Sequence, residues 1–87
     1  MLEPGMKVKL IAFNNSTTAP DDCDPCENYW SLIGELGTIV KPINSRSRVL
    51  VQFDVSVNSM GLHCHNAINN SLLILGSDLE VLNAKCN

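Results

Sequence analysis

Two cysteines and two histidines are the residues of this chain best suited to bind a metal ion. Cys23 and Cys26 have the Cys-x-x-Cys spacing with which two thiolates bind one tetrahedral ion. His63 and His65 supply further ligands later in the chain. This set predicts a Zn²⁺ site that would tie two long loops to a small core. An oxidisable Cys23–Cys26 pair and a set of free thiols remain open as alternatives.

Catalysis has weaker support in the sequence. Cys23-Asp24-Pro25-Cys26 has the spacing of a thioredoxin-type motif. Thiolate activation in that motif needs a helix N-terminus and a βαβ unit, and the sequence predicts neither. Cys64 lies between two histidines, but neighbouring residues on an extended chain face apart, so no local Cys–His pair forms. We therefore expect a protein that is not an enzyme.

A polar surface with aromatic residues is the first candidate for partner binding. Asp22 and Asp24 belong to an acidic segment over residues 14–31, which ends near Tyr29 and Trp30. Aromatic rings beside acids suit a basic or proline-rich peptide. His65 and Asn66, in the second polar loop, complete the predicted partner-binding set.

A basic cluster is the second candidate surface. Lys41, Arg46 and Arg48 lie in and beside one predicted hairpin turn, where they could contact the phosphates of RNA. The net charge of −3 disfavours nucleic-acid binding as the main task of the chain. The ordinary interpretation is that these residues keep the turn soluble and protect a strand edge.

The pattern of apolar residues predicts five strands that position these groups. Residues 5–13 and 48–57 alternate with the period of two typical of half-buried strands. Residues 34–41 add a strand that forms a hairpin with the second of these, and residues 72–75 and 79–82 form two more. The 87 residues are predicted to be one domain, with long loops at 14–31 and 58–70. No apolar run is long enough for a membrane span and no secretion signal is evident, so a cytoplasmic location is expected.

The order of these segments resembles SH3-like barrels of the KOW and mind-bomb types. The motifs that carry the resemblance are Gly5-x-Lys7-Val8-x-Leu10, Gly34-x-x-Gly37-Thr38-Ile39-Val40, Val49-Leu50-Val51-Gln52-Phe53-Asp54 and Ser77-Asp78-Leu79-Glu80-Val81-Leu82. They cover residues 5–13 and 34–82. His65-Asn66 is similar to part of a Gly-His-Asn element in some mind-bomb-like loops, with Cys64 in place of the glycine. The resemblance implies a mostly β, five-stranded SH3-like barrel.

The fold leaves three functions open, because small barrels serve many tasks. The leading hypothesis is an interaction module that binds a protein partner through its long loops. The alternatives are a KOW-like accessory that contacts RNA or a nucleoprotein complex, and a metal-stabilised or redox-responsive Cys/His protein.

Overall fold

The computed structural model describes residues 2–63 and 68–82, and this part of the chain is built from β-strands and short 3₁₀ turns. The strands are β1 (Lys7–Leu10), β2 (Leu36–Lys41), β3 (Arg48–Phe53), β4 (Ser71–Leu75) and β5 (Leu79–Val81). The 3₁₀ turns are Pro25–Glu27, Tyr29–Leu32, Asn58–Met60 and Gly76–Asp78. The predicted mostly-β class with five strands is confirmed. Within these residues no helix has the length and apolar character needed to cross a bilayer.

The five strands form one antiparallel sheet with the order β4-β3-β2-β1-β5. No hydrogen-bonded ladder joins the two edge strands, β4 and β5, in the described ranges, so the sheet is open. A single 3₁₀ turn, Gly76–Asp78, nevertheless connects them. In a flat five-stranded sheet the edges would be about 19 Å apart, whereas three 3₁₀ residues advance only about 6 Å. The sheet must therefore curve strongly to bring its edges together.

The hydrophobic core lies on the inner face of this curved sheet. Val49, Val51 and Phe53 alternate along β3 and are buried, as the period of two predicts. Val57 is also buried, although it follows the end of the strand. The rest of the core is apolar and comes from all strands and both long connections: Val8, Leu10, Leu32, Ile39, Leu62, Leu72, Ile74 and Leu79.

Several strands are shorter than the sequence predicted. β1 ends at Leu10 rather than at residue 13, β3 ends at Phe53 rather than at residue 57, and β5 ends at Val81. Beyond the ends of β1 and β3 the backbone no longer pairs with a neighbouring strand, but side chains such as Phe13 and Val57 still pack in or against the core. The alternation of apolar residues in the sequence indicates which side chains are buried, but it does not indicate where the hydrogen bonds between strands end.

Gly34, just before β2, and Gly37, within it, have different roles. Gly34 adopts a φ of +98°, which a side chain would strain, and it forms a tight turn that leads into β2. Gly37 lies within β2, where a Cβ would be only 2.7 Å from Val51 Cγ1 and 2.8 Å from the Gln52 carbonyl oxygen. The irregularity in the β2–β3 ladder lies instead between Ile39 and Lys41.

Candidate functional site

A pocket of about 350 Å³ opens on the connection between β1 and β2. Three aromatic residues, Phe13, Tyr29 and Trp30, form part of its wall. Three acidic residues line it as well: Asp22, Asp24 and Glu27, all exposed. The structure thus brings together four of the residues predicted to bind a partner. Phe13 and Glu27 join them and were not among the predicted site residues.

The aromatic rings form one cluster centred on Phe13. Its ring lies 5.4 Å from that of Tyr29 with an interplanar angle of 42°, and 5.0 Å from that of Trp30 in an edge-to-face arrangement of 76°. Such geometries are favourable because a positive ring edge meets a negative ring face. All three rings are half-buried, and those of Phe13 and Tyr29 also pack against the hydrophobic core. Trp30 lines the pocket with them.

A two-residue turn positions Phe13. Its N–H donates to the Ser16 carbonyl at 2.8 Å, and the Ser16 N–H donates back at 3.0 Å. Asn14 and Asn15 between them have φ values of 50° and 65°, the left-handed conformation that asparagine tolerates best after glycine. The Asn15 N–H donates to Oδ1 of Asp78, which is buried, at 3.2 Å. The start of the predicted acidic loop is therefore an ordered turn anchored to the β4–β5 connection.

The second long loop reaches this site at His63. The Tyr29 hydroxyl donates to the His63 carbonyl at 2.6 Å, and the His63 N–H donates to the Cys26 carbonyl at 2.9 Å. Two hydrogen bonds thus join the segment between β1 and β2 to the segment between β3 and β4. His65 and Asn66, predicted to bind a partner, lie outside the described residues, as does Cys64.

Two buried polar atoms of the β1–β2 connection have no hydrogen-bond partner within the described residues. They are Nε1 of Trp30 and Oδ1 of Asn28. A buried donor or acceptor without a partner loses its hydration and gains nothing in return, at a cost of about 1–3 kcal/mol.

Cys23 and Cys26 are free thiols, each half-buried. Cys23 lines the pocket, and its Sγ–H donates to the Asp24 carbonyl at 3.4 Å. Desolvation raises the pKa of the Cys23 thiol, and the negative charges of Asp24, Glu27 and Asp22 raise it further. Because the thiolate is the reactive form, this environment opposes nucleophilic or redox activation of Cys23.

The predicted zinc ligands are only partly covered by the structure. In residues 2–63 and 68–82, no three His, Cys, Asp or Glu side chains come together in a way that could hold a metal ion. Cys23, Cys26 and His63 therefore do not form such a set by themselves. The fourth predicted ligand, His65, is outside these ranges, so the zinc site remains a prediction.

The three basic residues of the predicted RNA surface differ in their surroundings. Arg48 is half-buried, with Nη1 donating to the Leu73 carbonyl at 3.2 Å and Nη2 donating to Asn14 Oδ1 at 2.9 Å. Its guanidinium thus connects β3 to β4 and to the Asn14 turn. Lys41 and Arg46 are exposed.

Comparison with protein-family models, with curated proteins and with solved structures gave no match. The fold and the arrangement of side chains in the pocket are therefore the basis for a functional proposal.

Proposed function

We propose that this chain is a small, non-catalytic interaction module that binds a basic segment of a partner protein in the pocket on the connection between β1 and β2. The observation that carries the proposal is that one concave surface combines three aromatic rings with three carboxylates. An arginine or lysine side chain fits both features. Its charge attracts the carboxylates, and its planar or methylene part packs on the rings.

The interactions that the pocket offers are weak enough for reversible binding. A cation over an aromatic ring contributes about 0.5–2 kcal/mol, depending on how far it is desolvated. Asp22, Asp24 and Glu27 form no ion pair within the described part of the chain, so their charge is available to a partner.

We further propose that the curved sheet is an SH3-like barrel. Support comes from the strand order, in which β1 lies between β2 and β5, and from the single 3₁₀ turn that joins the two edge strands. In such a barrel the long β1–β2 connection projects beside the sheet, where binding residues are commonly placed on a rigid scaffold.

The two alternative functions have less support. Arg48 uses its guanidinium for two internal hydrogen bonds, which leaves Lys41 and Arg46 as the freely exposed members of the predicted RNA surface. The raised pKa of Cys23 disfavours a redox function.

A titration monitored through Trp30, the one tryptophan of the chain, tests the proposal. The probe is a short peptide with two arginines among glycines and prolines, and its matched control contains citrulline, which has the shape of arginine without its charge. We expect the arginine peptide to change the Trp30 emission in a saturable way, and the citrulline peptide to bind at least tenfold more weakly. Equal binding of the two peptides, or no response to either, would contradict the proposal.

A pair of variants localises the effect. Glu27→Gln removes a pocket carboxylate, and Glu80→Gln removes an exposed carboxylate on β5 that does not line the pocket. Glu27→Gln should weaken binding several-fold and reduce its dependence on salt, whereas Glu80→Gln should have little effect. Equal effects of the two variants would indicate non-specific attraction to a negatively charged protein.

A further inference from the structure

A second concave surface, chemically unlike the first, lies where the β2–β3 turn meets the β4–β5 connection. It is a groove of about 540 Å³ whose walls are mainly apolar, formed by Leu2, Ile43 and Leu75. Ser47, Gly76 and Ser77 complete its lining. None of these residues lines the acidic pocket. The groove is therefore a separate surface and needs its own explanation.

The floor of the groove is the bare backbone of Gly76. A Cβ at this position would lie 3.0 Å from Leu2 Cδ1 and 3.6 Å from Ile43 Cδ1, so the absence of a side chain keeps the space between these walls open. The Gly76 N–H donates to the Ser47 carbonyl at 3.0 Å, which fixes the hairpin turn against the floor. Ile43 remains 52% exposed, the highest value among the large apolar residues exposed in the described structure. An apolar side chain this exposed gains free energy when a partner covers it.

Two basic residues lie beside the groove-lining residues Ile43 and Ser47 in the sequence. Lys41 and Arg46 belong to the same hairpin as Ile43 and Ser47, and both are exposed. Neither forms an ion pair with an acid in residues 2–63 or 68–82. The protein as a whole carries a net charge of −3, so this basic hairpin contrasts with the rest of the surface. Charge complementarity therefore favours an acidic occupant.

We propose that this groove binds a second partner segment, an acidic peptide that inserts one aliphatic side chain between Leu2, Ile43 and Leu75 while its carboxylates face Lys41 and Arg46. The open groove presents three apolar side chains to solvent, and an aliphatic side chain of a peptide would cover them. A fatty acid would need a cavity that encloses about 70–90% of its surface, and an open groove does not do this.

The proposal goes beyond the function assigned to the acidic pocket. One surface takes a basic segment and the other takes an acidic segment, so the chain would connect two partners of opposite charge. The two surfaces share no lining residue, and so each can be tested without the other.

The test is a titration of the ¹⁵N-labelled chain with a nine-residue peptide that has a central leucine flanked by four glutamates. We expect shifts at Ile43, Ser47 and Gly76. A peptide with glycine in place of leucine, and one with lysine in place of glutamate, should each bind at least fivefold more weakly. The lysine peptide is also the check that charge, and not leucine alone, determines binding.

Two matched pairs of variants complete the test. Ile43→Ser should weaken binding at least fivefold, whereas Leu73→Ser, at a similarly exposed apolar position outside the groove, should not. Arg46→Ala should weaken it about threefold and Lys9→Ala on β1 should leave it unchanged. Ile43→Ser should keep its full affinity for the arginine peptide, which separates failure here from failure of the acidic pocket.

Other occupants would overturn the proposal. Concentration-dependent shifts at Ile43 and Gly76 without peptide would identify a second copy of the chain as the ligand. Shifts at these residues with oleate or anionic vesicles, and none with the peptide, would identify a lipid. The absence of shifts with any of these probes, or equal loss of binding in Ile43→Ser and Leu73→Ser, would show that the groove does not bind the peptide.

Discussion

The hydroxyl of Tyr29 donates a hydrogen bond of 2.6 Å to the backbone carbonyl of His63, 34 positions further along the chain. This bond joins the connection that carries the acidic pocket to the connection between β3 and β4. Tyr29 therefore has two roles, since its ring also packs on Phe13 in the pocket wall. Two neighbouring aromatic residues, Tyr29 and Trp30, thus differ in one respect: the hydroxyl of Tyr29 has a partner and the Nε1 of Trp30 has none in the described residues.

This difference predicts opposite effects of two similar substitutions on stability. Tyr29→Phe should lower the free energy of unfolding by about 1 kcal/mol, because it removes a hydrogen bond between two loops. Trp30→Phe should not lower it, because the loss of apolar area is offset by the removal of a buried donor without a partner. Urea unfolding of the two variants, followed by far-UV circular dichroism, measures both. A larger loss for Trp30→Phe than for Tyr29→Phe would show that this account of the pocket wall is wrong.

Gly37 provides a test of the sheet. Gly37→Ala should lower the free energy of unfolding by about 3 kcal/mol, because the new Cβ would overlap both Val51 Cγ1 and the Gln52 carbonyl oxygen. Gly34→Ala is the comparison, since nothing lies within 4 Å of a Cβ there and only the positive φ is strained. That variant should lose about 1 kcal/mol. Equal losses in denaturant unfolding would mean that the close approach of β2 and β3 at Gly37 does not exist in solution.

Arg48 and Arg46 form a matched pair that separates a structural role from a binding role. Arg48→Ala should reduce the free energy of unfolding by about 1 kcal/mol, because the half-buried guanidinium bonds to Leu73 and Asn14. Arg46→Ala should change it by less than about 0.5 kcal/mol, since its side chain is exposed. Thermal unfolding compares them. Salt-sensitive retention on immobilised RNA that disappears in both variants would instead favour the RNA-binding alternative.

The acids around Cys23 predict how its reactivity depends on pH. Since desolvation and the charges of Asp24, Glu27 and Asp22 raise its pKa, less thiolate is present at neutral pH than for an ordinary cysteine. Asp24→Asn should therefore lower this pKa and speed the alkylation of Cys23 by iodoacetamide at pH 7.5. Peptide mass spectrometry follows the rate, with Glu80→Asn as a control away from the site. A slower reaction in Asp24→Asn would contradict the stated cause of the shift.

Some of these features can be predicted from sequence because they depend on local periodicity. Val49, Val51 and Phe53 alternate in the sequence because they lie on the face of β3 that packs in the core. This alternation is the reason that β3 could be predicted. The closing strand at Leu79 was predicted from the turn residues Gly76-Ser77-Asp78 that precede it. The positions of these elements in the chain already imply a sheet.

Other features depend on residues that are distant in sequence, and no local pattern reveals them. The Asn14–Asn15 turn looks like ordinary polar loop composition until the buried Asp78 is known to accept from Asn15. Phe13 becomes part of the pocket because that turn folds it back over Tyr29. The two consecutive asparagines are the one feature of the sequence that could have indicated this tight turn, since asparagine tolerates left-handed conformations.

The central claim is that the acidic, aromatic pocket is a binding site for a basic partner segment. The most direct measurement is a ¹⁵N–¹H correlation spectrum of the full chain, recorded while the two-arginine peptide is added. The account predicts that the indole N–H of Trp30 and the backbone N–H groups of Asp24 and Glu27 shift together in a saturable way, while those of Ile43 and Gly76 stay in place. Shifts confined to residues 41–48, or no saturable shift at Trp30, would contradict it.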